Sequence, residues 1–297
     1  MVLVAVVTGI VTWLLVVFRV PVGDWVESIV NWLTASAGWL FDFIRVIVNW
    51  MTGSLERVLI WPPSYVMAGV FGIVGWRARG LGFGALSFVG FVLIQSMRLW
   101  NDAMSTLSLV VVAAFVAVIV GVPLGILAAN SEITSRIFRP VLDFMQTLPV
   151  FVYLIPAIIF FGIGKVPGVF ATVIFAMPPA VRLTELGLRQ VDQEVVEAAE
   201  AFGAPKFKIL RKVQLPLAMP TLMAGVNQVI MLALSMVVTA GIVGAGGLGA
   251  VVYRGVTRLD VGLGFEGGLA VVILAIFLDR LTGALSGRKD GQKSTAT

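Results

Sequence analysis

The 297-residue chain contains no cysteine and no histidine. Without thiolates, disulfide scaffolds and thiol chemistry are excluded, and the usual zinc sites lose their ligands. Without imidazole the commonest general base is gone, which weighs against a hydrolase or a redox enzyme. Charge is scarce as well: 12% of residues are charged, where a soluble domain carries about 25%. Hydrophobic residues make up 59% and stand in long runs, so water is not the main solvent of this chain. The net charge of +5 comes from Lys and Arg placed between those runs, as the positive-inside rule places them. There is no aromatic-basic patch of the kind that binds single-stranded nucleic acid, and no nucleic-acid partner is expected.

A spanning helix needs about 20 mostly apolar residues. Such runs occur near 2–18, 60–76, 81–99, 103–129, 141–163, 167–188, 216–245 and 265–284, giving eight candidate spans. The first has no basic stretch ahead of it and no small-x-small cleavage site before Arg19, so it reads as a retained span and not a signal peptide. The second begins at Pro62-Pro63, and Pro123 is positioned to kink or break the fourth. With both termini cytoplasmic, two thirds of the Lys and Arg residues fall on the inside, densest at Lys206, Lys208, Arg211 and Lys212. This sets an N-in, C-in orientation.

Residues 24–58 differ from the rest. Asp24, Ser28, Asn31, Asp42, Arg45, Asn49, Thr52 and Glu56 recur at helical spacing, a polar stripe. Trp25, Trp32, Trp39 and Trp50 occupy the other face. An amphipathic helix rich in Trp lies in the membrane interface, and Gly38 and Gly53 are expected to break it into pieces.

The most informative stretch runs from Asp192 to Pro216, DQEVVEAAEAFGAPKFKILRKVQLP. Asp192 suits an N-cap, and Glu194 faces the positive end of the helix dipole. Gly203 suits the left-handed position that ends the helix. Pro205 fits N1 of a second short helix, which Pro216 is expected to stop. The result is a polar helix-turn-helix between two apolar spans at the most basic point of the chain. Glu197 and Glu200 offer charge to a partner, and Ala198, Ala199 and Ala201 allow close approach. Loops between spans are normally short, so an ordered segment of this length needs a purpose.

These residues resemble the cytoplasmic motif EAA-x3-G-x9-I-x-LP of permeases from bacterial binding-protein-dependent ABC importers. Here it reads Glu197-Ala198-Ala199, Gly203, then Val213, Leu215 and Pro216, with Val in place of Ile as the one departure. Residues 145–191, 212–249 and 258–282 and the Trp-rich N-terminal region are similar to the glycine betaine and proline betaine subfamily, a likeness covering about residues 22–285. The resemblance implies an all-α polytopic membrane bundle of the type I ABC importer permease class, with about eight transmembrane helices and an N-terminal interfacial region. It implies a multi-pass protein of the bacterial plasma membrane, coupled through Glu197, Ala198, Ala199, Gly203, Leu215 and Pro216 to an ABC ATPase. The partners so implied are two ATPase copies, a substrate-binding protein and a second copy of this chain within membrane lipid. The implied cargo is glycine betaine, proline betaine or a related quaternary ammonium osmolyte. ATP and Mg would reside on the ATPase, with no cofactor or metal on this chain and no enzymatic activity of its own. On this reading residues 1–60 hold the first span and interfacial helices, 61–99 peripheral helices, 100–285 the core with coupling segment 192–216, and 286–297 a polar tail. Another small solute such as methionine, a secondary carrier and an intramembrane enzyme are the alternatives.

Two glycine-rich patterns carry no nucleotide site. Gly244, Gly246 and Gly249 spell G-x-G-x-x-G but follow an apolar span, not a strand, so a re-entrant turn is expected there. Gly164-Lys165 lacks the other positions of a phosphate loop. Polar residues within spans, Gln146, Thr147, Tyr153, Asn227, Gln228, Ser235 and Thr239, either line a route or bond neighbouring helices. Pro149, Pro156, Pro178 and Pro179 can bend their helices beside such a route. Asp143, Glu185, Asp279 and Arg280 fall near cytoplasmic ends with opposite charge close by. A proton-driven carrier would place such groups at the midplane.

Overall fold

The computed structural model describes residues 21–285, so the candidate span at 2–18 and the tail from 286 lie outside it. The described chain is almost wholly helical, with no strand among the described residues. Two compact units divide between Phe43 and Ile44.

The described part of the first unit belongs to helix α1, Val22–Ile60. Trp25, Trp32 and Trp39 are all exposed along it. The break expected at Gly38 falls one residue earlier, where Ala37 leaves helical geometry at φ −117° and ψ 20° and two helical pieces meet at a kink; the break expected at Gly53 is not found. A lone glycine costs a helix only about 1 kcal/mol relative to Ala, which its neighbours here outweigh.

The second unit carries the rest: α2 Ser64–Arg79, α3 Leu81–Ser96, α4 Trp100–Asn130, α5 Glu132–Thr147, α6 Val150–Phe161, α7 Lys165–Arg189, α8 Gln193–Ala201, α9 Lys206–Ile209, α10 Leu215–Ala240, α11 Gly247–Arg258 and α12 Val261–Leu285. Among the described residues, α4, α7, α12 and the rod Lys206–Val243 are long and apolar enough to cross a membrane. Two bent pairs, α1 with α2 and α5 with α6, bring the total to six, and α3 is a shorter apolar helix.

The run 141–163, read from sequence as one span, is in fact broken. Helix α5 stops at Thr147, α6 starts at Val150, and the two meet at 95°. The cause is local: Pro149 disfavours helical geometry at Leu148, whose ψ is 136°. Helix α4, by contrast, runs through Pro123 without ending.

Helices α4, α7 and α10 form the centre of this unit. Small residues let them approach, as membrane bundles require when lipid supplies no hydrophobic drive. Ala113, Ala117, Ala171, Ala176 and Ala233 are buried at these seams. A Cβ on Gly121 of α4 would stand 2.7 Å from the Ala180 Cβ, and one on Gly125 would stand 2.6 Å from both the Thr184 Cβ and the Val181 carbonyl oxygen. Helices α2 and α3 form a hairpin against α12, where Phe71, Phe91 and Phe277 interlock. Residues 44–60 of α1 are tied to the α6–α7 corner: Arg45 donates to the Phe160 carbonyl at 3.1 Å, and Glu56 pairs with Lys165.

The glycine pattern after α10 forms a turn, with Gly244, Gly246 and Gly247 at φ +82°, +79° and +64°. It leads directly into α11, a helix the hydropathy profile did not anticipate. Thr106 of α4 accepts the Leu248 N–H at 2.8 Å, satisfying one of the donors that a helix start leaves open.

Candidate functional site: the coupling segment

The segment 192–216 is built as its punctuation implies, with two changes. The Asp192 side chain accepts the Glu194 N–H at 3.0 Å, capping α8. At its other end Gly203 has φ +75°. The Gly203 N–H donates to the Glu200 carbonyl at 2.8 Å and the Ala204 N–H to the Ala199 carbonyl at 3.1 Å, the paired bonds of a Schellman closure. Pro205 is the cap of α9 and not its first residue.

Pro216 does not stop the second helix. The chain widens into a π-helical turn over Leu210–Gln214 and continues into α10, where Pro216 sits in the first turn. The Leu215 N–H reaches five residues back to the Leu210 carbonyl. Widening moves the backbone away from the clash a proline ring would make in a regular α-helix. The second half of the coupling segment, from Lys206, and the span are therefore one rod.

No residue of α8 is buried. Val196 and Ala199 are half-buried on its inner side, while Glu197 and Ala198 are exposed. Beneath lies a cavity of about 400 Å³ whose lining includes Asn130, Val196, Glu200, Phe207 and Gln214. The segment is rooted in apolar packing: Leu210, Leu215 and Val191 rest on Leu188, Ala218 and Leu222, with Val122, Ile126 and Ala129 of α4. Two residues missed from sequence stand out. Phe202 is 92% exposed and Phe207 71% exposed, one on each side of the Gly203 turn. Large exposed aromatics on an otherwise polar element are what a docking surface presents. Their flanking of the Gly–Ala–Pro turn was the available signal.

The polar residues proposed for a route do not form one group. Gln146, Thr147 and Tyr153 gather at the α5–α6 break, where the Tyr153 hydroxyl donates to the Met145 carbonyl and Thr147 to the Phe144 carbonyl at 3.3 Å. Tyr153 also packs on the cluster of Leu154, Ala171 and Met236. Pro178 is buried within α7. Asn227 donates to Asp279 at 3.0 Å and accepts from Thr282 at 2.7 Å, bonds that join α10 to α12. Ser235 is exposed and returns its hydroxyl to the Met231 carbonyl. Gln228 is exposed and Thr239 half-buried.

Charged groups at the α5 and α7 ends are paired. Asp143 bonds Arg182, and Glu185 lies 3.6 Å from Arg139 and 3.1 Å from Arg189. Arg189 also bonds Glu132.

Residues 121–291 match the family described as binding-protein-dependent transport system inner membrane component. The chain belongs to that family. Its fold is that of the type I ABC importer permeases: this permease is similar to a chain of the MetNI methionine ABC transporter solved in inward-facing conformations, with a TM-score of 0.59 at 24% identity over 64% of this chain and 94% of that one. At that identity the likeness concerns fold alone. Among curated relatives, it is 47% identical to the glycine betaine/proline betaine transport system permease protein ProW of Escherichia coli, over 90% of this chain and 75% of that protein. It is 47% identical to the glycine betaine transport system permease protein OpuAB of Bacillus subtilis, over 89% of this chain and 94% of that one. It is 50% identical to the glycine betaine/carnitine transport permease protein GbuB of Listeria monocytogenes, over 90% of this chain and 96% of that one. The permease is thus a multi-pass protein of a bacterial membrane, and it acts as a transport subunit.

Proposed function

We propose that this permease carries glycine betaine, proline betaine or a related quaternary ammonium osmolyte inward, driven by ATP hydrolysis on a partner ATPase. The observation that carries this reading is the 47–50% identity over about nine tenths of the chain to permeases named for glycine betaine. The methionine alternative has only a likeness of fold behind it.

The segment 192–216 is the docking element for the ATPase. Its support is geometric: an exposed helix with a fixed turn, aromatic anchors at Phe202 and Phe207, and a root in α4, α7 and α10. Two copies of the permease would form the pathway, each seated on one ATPase subunit that holds ATP and Mg, with a binding protein outside. A zwitterion with a permanent ammonium cannot cross hydrocarbon unaided. The bundle supplies polar partners transiently, and tight capture belongs to the binding protein.

Proteoliposomes holding the permease, its ATPase, a binding protein and internal ATP should accumulate glycine betaine. Uptake should survive a protonophore and sodium-free buffer. Uptake that ignores ATP and collapses with the proton gradient would replace this reading with a secondary carrier.

Orientation has its own test. Lys208 and Thr257 are both exposed, and the chain has no native cysteine. In intact cells Lys208→Cys should be shielded from an impermeant maleimide and Thr257→Cys labelled. Labelling at 208 from outside would remove the docking role.

A further inference from the structure

The inner ends of α5 and α7 meet around one buried carboxylate. Glu185, on α7, is 7% exposed. Its Oε1 accepts the hydroxyl of Ser135, itself 1% exposed, at 2.7 Å. The same oxygen lies 3.1 Å from Arg189 Nε and 3.6 Å from Arg139 Nη2. Ser135 and Arg139 are on α5. Arg189, the last residue of α7, reaches further: it pairs with Glu132 at the start of α5 and donates to the Ala128 carbonyl near the end of α4 at 3.0 Å. Arg182 and Asp143 add a second ionic rung between the same two helices.

These groups bound a cavity of about 380 Å³. The seam at this level is therefore bridged by charge and hydrogen bonds and is not filled by apolar side chains. A buried carboxylate is tolerated only when its lone pairs are engaged, and taking away one partner strands the others. Glu185 is engaged from α5 and from the end of its own helix at once. Three residues beyond Arg189 stands the Asp192 cap of the coupling segment, and α5 is the inner half of the broken span.

We propose that Glu185 is a positioning residue that welds α5 to the inner end of α7, so that a displacement of the coupling segment carries the inner half of the broken span with it as one body. This rests on the docking role given to segment 192–216. The weld stays closed through the cycle, and the hinge is the α5–α6 break at Leu148–Pro149.

The test uses the complete complex in proteoliposomes and reads two quantities, ATP hydrolysis stimulated by loaded binding protein and solute taken up per ATP. Glu185→Gln keeps an acceptor for Ser135 but gives the two arginines no charge. Stimulated hydrolysis should persist, while uptake per ATP falls about tenfold, the scale reached when a coupling contact is lost. Glu185→Asp, which restores the charge, should recover part of the ratio. Cysteines at Asp143 and Arg182, an exposed pair on the same two helices that leaves Glu185 and its own partners in place, joined by a short bifunctional maleimide, should restore the ratio in the Glu185→Gln protein and leave uptake intact where Glu185 is present. A normal ratio in Glu185→Gln overturns the proposal, as does a cross-link that stops uptake. If Glu185→Gln does not assemble, the cross-link in the Glu185-containing protein decides alone. Failure of the docking role itself is distinguishable, because then Gly203→Val would transport normally.

Discussion

Gly203→Val is expected to leave a folded, inserted permease that no longer transports. The position has room: no heavy atom lies within 4 Å of where a Cβ would stand. The cost is therefore one of backbone alone. Gly203 has φ +75°, a region that costs a residue with a Cβ about 1–2 kcal/mol, and a branched Cβ is a genuine outlier there. Relief requires opening the turn, which breaks the bonds from Gly203 to Glu200 and from Ala204 to Ala199 and separates Phe202 from Phe207. Nothing in the bundle packs on α8 tightly enough to resist, since none of its residues is buried. Uptake should fall to background, and stimulation of ATP hydrolysis by loaded binding protein should vanish. Gly203→Asn, which tolerates left-handed geometry, should retain most of both. Equal transport by the valine and asparagine variants would show that the turn geometry is not what the ATPase reads.

Gly125→Leu should abolish recovery of the permease altogether. Its added Cβ would meet the Val181 carbonyl oxygen and the Thr184 Cβ, each at 2.6 Å. A carbonyl within α7 cannot rotate aside, so α4 and α7 must separate. Overpacking costs about 1–3 kcal/mol where side chains can yield, and here the obstacle is backbone at the central seam. Gly69→Leu serves as the control, because nothing lies within 4 Å of its Cβ position. Fluorescence-detected size exclusion in detergent should show a monodisperse peak for the control and none for Gly125→Leu. A stable Gly125→Leu protein would mean that the α4–α7 seam has slack that the geometry denies.

The coupling segment was legible because its signals are local. Asp192 caps the helix that follows it, and Gly203 ends that helix through its own φ. Both act within four residues, so spacing alone reveals them. The break at Leu148–Pro149 was hidden because both sides of it are apolar, and hydropathy sums straight across a bend that only the residue before proline announces. Helix α11 was hidden for the opposite reason: it is short, and the exposed Arg254 and Arg258 interrupt its apolar run. Pro216 misled because its usual effect assumes an α-helix, and a π turn removes that premise. Asn227 was visible as a polar residue in a span, but its partners, Asp279 and Thr282, stand more than fifty positions away. Glu185 was seen to have opposite charge nearby. That Arg139 brings that charge from a different helix, and that Ser135 of the same helix adds a hydroxyl, is tertiary information.

The continuous helix from Lys206 to Val243 holds 38 residues, about 57 Å at 1.5 Å per residue, against a hydrocarbon layer of about 30 Å. If segment 192–216 docks the ATPase as proposed, this rod acts as a lever whose short arm is Lys206–Gln214 and whose long arm is the span that follows. A swing of about 5° displaces one tip relative to the other by about 5 Å over such a length, close to the width of one helical turn. No chain of side-chain rearrangements is then required to carry a push from the ATPase to the outer mouth. The mechanical demand falls on stiffness, and the π turn is the point where that stiffness is set.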